Sequence, residues 1–409
     1  MAQNLPPEIV AHILSTCEPQ IDISWSLIAP NWTHEVRRIF FRLVTLYTRS
    51  TSRVNRPSVK AFKRAFEMQG CSWLKETIQY LIIECQPPFL MQGKPSKWKQ
   101  IRSYLFKRRR QISDQNAIEK DLVCLEDYPS KLPALRNVLI FRSSSAPCFT
   151  TENILLPFRG LALDYFSIND DTSSPLFPGC IAFFNTLTLK SFRLEMREVF
   201  SFQEGEEKLQ LSPLRTLSFN YDPCGSGRTV HSPEALESLL SCTASIEELK
   251  LGDFSITSLQ LPCDIHTIGT LKRLSLRKFI CPEVALNRLI SACQTLEFLC
   301  LDEIGWTARL FSHLPHSLLS LALSIPDAGY ITPTEVEAAL LKRTEYTWEH
   351  APLLTLFKCV SELDLTRANP LWDYTSCTDL ERKLKDRRKE CTFEFICKAP
   401  PHHMVCEIW

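Results

Sequence analysis

Lys190, Asn220, Lys250, Arg273, Arg277 and Asp302 are the residues whose types and spacing could do recognition chemistry. Each lies in or beside a short x-Φ-x-Φ-x segment, with Φ apolar. At the x positions of an extended chain, side chains point away from the buried side. Arginine's planar fork pairs bidentately with a carboxylate or a phosphate. The four cations therefore predict that an acidic or phosphorylated segment is held there. Asp302, with Glu362 and Asp364 beyond it, supplies acids toward the C-terminal end. A merely solvated sheet face is the plain alternative. Catalysis has no comparable signal. The 9 histidines are dispersed, and neither H-E-x-x-H nor G-x-S-x-G occurs. A hydrolase would need a Ser or Cys hydrogen-bonded to one of those histidines in a pocket, and no enzyme activity is expected. The tail holds metal-ligand types, Cys391, Cys397, His402, His403 and Cys406, but their spacing fits no common zinc frame. No metal site is predicted.

What would position the six recognition residues is a repeat. The pattern Φ-x-x-Φ-x-Φ recurs as Ile78-Leu81-Ile83, Leu135-Val138-Ile140, Phe158-Leu161-Leu163, Phe184-Leu187-Leu189 and Leu214-Leu217-Phe219. It continues as Ile246-Leu249-Leu251, Leu271-Leu274-Leu276, Leu296-Leu299-Leu301, Leu318-Leu321-Leu323 and Val360-Leu363-Leu365. From Val138 onward the copies lie roughly 22 to 32 residues apart, with one longer gap before the last. The last two apolar residues of each copy point to one side of a short strand. A strand this short cannot bury that side alone, so the copies must stack as a parallel sheet. Between them, Ser232–Leu240, Pro282–Ile290 and Thr332–Leu341 carry a cap, an early proline and leucines at helical spacing. This pattern and period resemble leucine-rich repeats. That resemblance implies a curved α/β solenoid with parallel strands on the concave side and helices on the convex side. Where many such repeats place Asn or Cys, three residues past the last leucine, this chain has Phe166, Phe192, Phe254, Phe279 and Ile304. An apolar spine is expected in place of a polar ladder.

Composition agrees. The chain has 409 residues, 47 Lys and Arg against 46 Asp and Glu, and a net charge of +1. A surface built wholly for nucleic acid or for an anionic membrane is not expected. Leucine is abundant, at about 57 residues, and glycine is scarce, at 11. With no G-x-G-x-x-G and no P-loop, dinucleotide and nucleotide sites are disfavoured and no cofactor is predicted. There are 17 cysteines, an odd number, without a C-x-x-C pair, and no apolar stretch follows the N-terminus. Reduced thiols in the cytoplasm or nucleus, without a membrane span, are the expectation. Residues 97 to 110 are basic without an acid. They read as a nuclear localisation signal, a phosphate patch, or a solvated helix answered by Glu119, Asp121, Glu126 and Asp127.

The first 47 residues do not repeat. Leu5-Pro6-Pro7-Glu8-Ile9 opens a helix that continues through Ile13 and Leu14, a second runs from about residue 22 to 29, and a third from about 31 to 41. Leu27 and Ile28 lie on the second and Trp32 on the third. Pro30 ends the second helix early. Such a short module cannot bury its own apolar surface, so a partner or the next domain must cover it. The order L-P-x-E-I-x-x-x-I-L, then S-L-I, then Trp, resembles an F-box, and the two-part layout resembles fungal F-box/leucine-rich-repeat proteins. The resemblance implies docking on a Skp-type adaptor of a cullin–RING ubiquitin ligase. Leu5, Pro6, Ile9, Ile13, Leu14, Leu27, Ile28 and Trp32 would be its adaptor-facing or module-core residues. A single copy in the complex would hold an unknown protein substrate on the repeats. The domains would be 1–47 for docking, 48–132 as linking helices with a first irregular repeat, 133–370 as the solenoid, and 371–409 as a cap. A scaffold whose F-box-like segment only caps the solenoid is the competing reading. A receptor with a small anion beneath the basic strip is another.

Overall fold

The structure is a computed structural model. It describes residues 30–47, 128–142, 155–170, 180–196, 246–253, 268–325, 332–337, 356–362, 374–387 and 392–398, with parts of 62–85 and 203–221. Two compact units are present, and the division falls within one strand, whose residues Lys190–Phe192 group with the second unit.

In the first unit, strands β1 (Leu43–Tyr47), β2 (Tyr80–Cys85), β3 (Asn137–Arg142) and β4 (Ala162–Asp170) pair in parallel and in chain order. Leu46, Ile83, Ile140 and Ile168 stand in one register row and are all fully buried. Leu81, Val138 and Phe166 form the row below it. Strand β5 (Thr188–Met196) follows. In the second unit a two-residue antiparallel pair, β6 (Gln203–Glu204) and β7 (Glu207–Lys208), precedes the repeats. Then come β8 (Thr216–Tyr221), β9 (Glu248–Gly252), β10 (Arg273–Arg277), β11 (Phe298–Asp302), β12 (Ser320–Ile325), β13 (Leu356–Glu362) and β14 (Thr392–Lys398). All seven pair in parallel with their chain neighbours. Leu217, Leu249, Leu274, Leu299 and Leu321 share one row. Phe219, Leu251, Leu276, Leu301 and Leu323 share the next, and all ten are buried. Parallel neighbours in strict chain order require every connection to return on the same side, which is the coil of a repeat stack. The fold is α/β and of leucine-rich-repeat type.

Helix α1 (Pro30–Phe40) leads into β1, and among the described residues the returns are the short helices α2 (Trp73–Thr77), α3 (Cys180–Asn185), α4 (Glu283–Ala292), α5 (Pro333–Glu337) and α6 (Tyr374–Arg387), with the 3-10 turns Leu156–Phe158 and Ala308–His313. Helix α4 buries Ala285, Leu286, Leu289 and Ile290 at helical spacing. Helix α5 opens on a capping box. The Thr332 hydroxyl accepts from the Glu335 amide at 3.1 Å, and the Glu335 carboxylate accepts from the Thr332 amide at 2.8 Å. Helix α6 carries the pairs Arg382–Asp379 and Lys385–Glu381 on its exposed side.

Three repeats are registered differently from the sequence reading. The inward pair of β4 is Phe166 and Ile168, opposite Val138 and Ile140, and not Leu161 and Leu163. In β5, the Arg215 amide donates to the Lys190 carbonyl at 2.8 Å, which puts Lys190 level with Arg215, two residues before the inward pair. The register therefore makes Phe192 and Leu194 the inward pair, and not Leu187 and Leu189, although all four are buried. In β13, Phe357 and Cys359 take the rows of Leu321 and Leu323, and Leu363 and Leu365 lie outside the described residues. Phe166 and Phe192 are thus strand residues, whereas Phe279 and Ile304 are the buried spine. Strand β14 adds a repeat inside the expected cap, and β1 begins the stack inside the expected docking module.

Two devices stand in for the missing asparagine ladder. The residue before the first leucine of a repeat is a hydroxyl donor to the previous coil. Thr270 reaches the Ile246 carbonyl at 3.1 Å, Thr295 the Gly269 carbonyl at 2.7 Å, and Ser317 the Gln294 carbonyl at 2.8 Å. One residue past strands β9, β10 and β11, the chain turns through the left-handed region at Asp253, Lys278 and Glu303, with φ of 53, 47 and 51°. Glycine would be unstrained there. The amides of Asp253 and Lys278 donate to the carbonyls of Arg277 and Asp302 at 2.8 Å each, and that of Glu303 to the Ser324 hydroxyl. Low glycine content is thereby met by charged residues held in a strained turn by their neighbours.

Candidate interaction surface

In the second unit the outward positions of the strands are only partly open. Arg273 and Lys250 are exposed, and Lys250 pairs with Glu248 at 2.9 Å. Arg277 is 21% exposed and its Nε lies 3.9 Å from both Asp302 and Glu303. Lys278 reaches Glu303 at 3.7 Å. Asp302 is buried. In the central row, Ser275, Cys300 and Ala322 are in register across β10, β11 and β12, and all three are buried. The basic strip read from the sequence is therefore not one open surface. Lys190 is exposed but sits level with Arg215 at the start of its strand, apart from the outward row.

Asn220 folds over Gly252, its neighbour in register. A Cβ on Gly252 would meet Asn220 Oδ1 at 2.0 Å and Cγ at 2.8 Å. Gly252→Ala is expected to lose about 1–3 kcal/mol of stability through this overlap. Combining it with Asn220→Ser should restore most of the loss in urea denaturation, because the shorter side chain clears the added methyl.

The first unit also carries exposed outward residues, Phe141 on β3 and Arg193 on β5. Arg193 is 49% exposed on β5 and hydrogen-bonds Glu195 through Nε at 3.0 Å. Its Nη2 also contacts Glu195. Asn169 donates to the other Glu195 oxygen at 2.5 Å. Burial works against the Arg193 charge, yet its hydrogen bonds and attraction to Glu195 and Tyr165 hold its pKa above the ordinary value. Phe141, opposite Asn169, is 40% exposed. Aromatic residues and arginine are the types most enriched at protein interfaces. The signal lies in Phe166-Ser167-Ile168 and Phe192-Arg193-Leu194, two further Φ-x-Φ segments that each begin three residues past a leucine pair.

Of the docking residues, Trp32 is described. It is 5% exposed and, with fully buried Val36, fastens α1 to the chain's own core. Arg37 of α1 stacks on Trp73 of α2, which Phe41 also meets edge-on at 5.3 Å. Leu5, Pro6, Ile9, Ile13, Leu14, Leu27 and Ile28 lie outside the described residues, as do the basic run 97–110 and the tail histidines.

For catalysis, one serine–histidine contact is present among the described residues. Ser291 Oγ and His313 Nδ1 are 3.2 Å apart between α4 and the following 3-10 turn, and both are exposed. No acid orients His313 among the described residues. Cys300 is disulfide-bonded, which corrects the expectation of reduced thiols at that position. Cys180, Cys281 and Cys293 are free. Burial pushes the Cys281 thiol up to about 12, against a hydrogen bond with the Leu286 backbone that lowers it. Because only the thiolate attacks, iodoacetamide at pH 8 should leave Cys281 unmodified in the folded chain and alkylate it in urea. Mass spectrometry reads the difference. Among the described residues no cluster of His, Cys, Asp and Glu could hold a metal ion, and no helix is long and apolar enough to cross a membrane.

No protein-family model and no curated protein matches the sequence. Solved structures are similar at low identity. The leucine-rich repeat-containing protein LegL7 from Legionella pneumophila is 13% identical, with 66% of this chain and 87% of that one covered and a TM-score of 0.38. The Rad7 and Elc1 complex in yeast matches at 13% identity over 95% and 91% of the two chains, with a TM-score of 0.42. The TLR13–ssRNA13 complex matches at 12% over 88% and 56%, with a TM-score of 0.31. The leucine-rich-repeat assignment rests on the parallel register and the paired apolar rows, not on these distant likenesses.

Proposed function

We propose that this chain is the non-catalytic substrate-recognition subunit of an SCF-type cullin–RING ubiquitin ligase. Its N-terminal segment docks a Skp-type adaptor, and the outward strand face of the repeats holds a protein substrate. The observation that carries the reading is an order of parts. The motif Leu5-Pro6-Pro7-Glu8-Ile9, with Ile13 and Leu14, is followed by Leu27, Ile28 and Trp32, and α1 then leads directly into the first strand of a parallel repeat stack. Such a subunit needs no catalytic residue, because it acts by raising the effective concentration of substrate at the ligase. The exposed Arg193 and Phe141, with the half-buried Tyr165, supply interface-type residues for the substrate side.

The burial of Trp32 and Val36 favours a second reading, in which the F-box-like segment caps the repeats and the chain is a binding scaffold outside any ligase. Leu5→Asp with Ile9→Asp separates the two. Under the ligase reading the variant loses co-purification of a Skp-type adaptor while its melting temperature holds. Under the cap reading the native chain brings down no adaptor, and the variant melts at lower temperature.

A further inference from the structure

We propose that the disulfide at Cys300 is a redox switch. While the bond stands, the central outward row of β10, β11 and β12 is covered, and reduction uncovers that row for a protein partner. The use by a partner rests on the reading that the outward strand face holds a protein; the uncovering does not.

Ser218, Lys250, Ser275, Cys300 and Ala322 are in register across β8 to β12, midway along the outward side. Lys250 is exposed and Ser218 half-buried, so this side meets solvent at β8 and β9. From β10 to β12 it does not. Ser275 is buried, and Cys300 and Ala322 are completely so. The covered stretch is centred on Cys300, which stands between inward Leu299 and Leu301 and so points outward itself. Cys300 is disulfide-bonded. A disulfide holds its two Cα atoms within about 7 Å. Ser275 and Ala322, level with Cys300 on either side, are not cysteines, and Cys180, Cys281 and Cys293 are thiols. The second sulfur therefore reaches Cys300 from another part of the chain, on the outward side. Ser275, Cys300 and Ala322 are small, and they offer whatever lies over them little apolar area. The covalent bond, more than packing, keeps the row covered. A dithiol breaks the Sγ–Sγ bond. Two electrons and two protons pass to the pair of sulfurs, giving two thiols, and the dithiol closes to its own disulfide.

The test uses the full chain after air oxidation. Peptide mapping by mass spectrometry, without reduction, should find Cys300 linked to a second cysteine. Dithiothreitol followed by iodoacetamide at pH 8, without denaturant, should then alkylate Cys300 at a rate within about tenfold of its rate in urea. Cys293, fully buried at the end of α4, should stay unmodified under the same treatment. Cys300→Ser should release the second cysteine to react without any dithiol. Should that variant fail to fold, the reduced native chain carries the test by itself. An unlinked Cys300 in the oxidised chain, or a bond that dithiothreitol leaves intact without denaturant, would overturn the proposal. So would a reduced Cys300 as slow as Cys293, or an unreactive second cysteine in folded Cys300→Ser, since either leaves the row covered without the bond. Cys293 reacting as fast as Cys300 would overturn it too, as a general loosening and not the uncovering of one row. Adaptor co-purification is a separate readout, which fails or succeeds whatever the labelling of Cys300 shows.

Discussion

Asp170→Ala should cost about 3–5 kcal/mol of folding stability, a large part of the roughly 5–15 kcal/mol typical of a folded domain. Asp170 closes β4 and stands in register with Arg142 at the end of β3, with Nη1 and Oδ2 2.5 Å apart and both side chains fully buried. Removing the carboxylate strands a guanidinium that cannot return to water while the strands stay paired. The cost is that of a buried cation deprived of its carboxylate and not the net value of the pair. Replacing both partners, Arg142→Met with Asp170→Leu, should therefore recover most of the loss. Urea denaturation of the two single variants and the double variant closes the cycle. Additive losses, or a single-variant cost near zero, would show that the pair is not buried as described.

Phe166→Ala is expected to be as damaging, at about 3–5 kcal/mol. The Phe166 ring packs against Phe158 at 6.1 Å and against Phe183 and Phe184 at 6.4 Å each, joining the strand to α3 and to the preceding 3-10 turn. Truncating it opens a cavity that three other rings cannot fill by shifting. Leu161→Ala, at a half-buried position just before β4, should cost only about 1 kcal/mol. The pair of measurements decides the register of this repeat. A larger loss at Leu161 than at Phe166 would restore the register that the leucines alone had indicated.

Much of the fold was legible because period and pattern are local. The rows from Leu217 to Leu323 stand where Φ-x-x-Φ-x-Φ put them, helix 31–41 is observed as Pro30–Phe40, and the segment from Pro282 is α4. The misplaced repeats share one cause. Strands β4 and β5 are each nine residues long, and each offers two candidate registers, since its inward pair, Phe166–Ile168 or Phe192–Leu194, follows a leucine pair, Leu161–Leu163 or Leu187–Leu189, that begins just before the strand. Only hydrogen bonds to the neighbouring strand decide which pair faces inward, and these are not written in local spacing. The site was less legible for the same reason. A slip moved Arg193, Glu195, Asn169 and Tyr165 off the predicted face and placed Lys190 on it. Nor does a strand's own sequence say whether its outward side is covered. Ser275, Cys300 and Ala322 stand at outward positions of their strands and are buried. The charged left-handed turns at Asp253, Lys278 and Glu303 were equally hidden, since glycine is the residue such turns usually announce.

The central claim is that one end of this chain binds a ligase and the repeats bind a substrate. It is tested most directly by affinity purification with mass spectrometry of the full chain beside a version lacking residues 1–29, a cut that leaves α1 with Trp32 and the first strand in place. The account predicts that the full chain brings down a Skp-type adaptor and a cullin, and that the shortened chain loses both while keeping its remaining partners. Adaptor and cullin absent from the full chain, or retained by the shortened one, would contradict it.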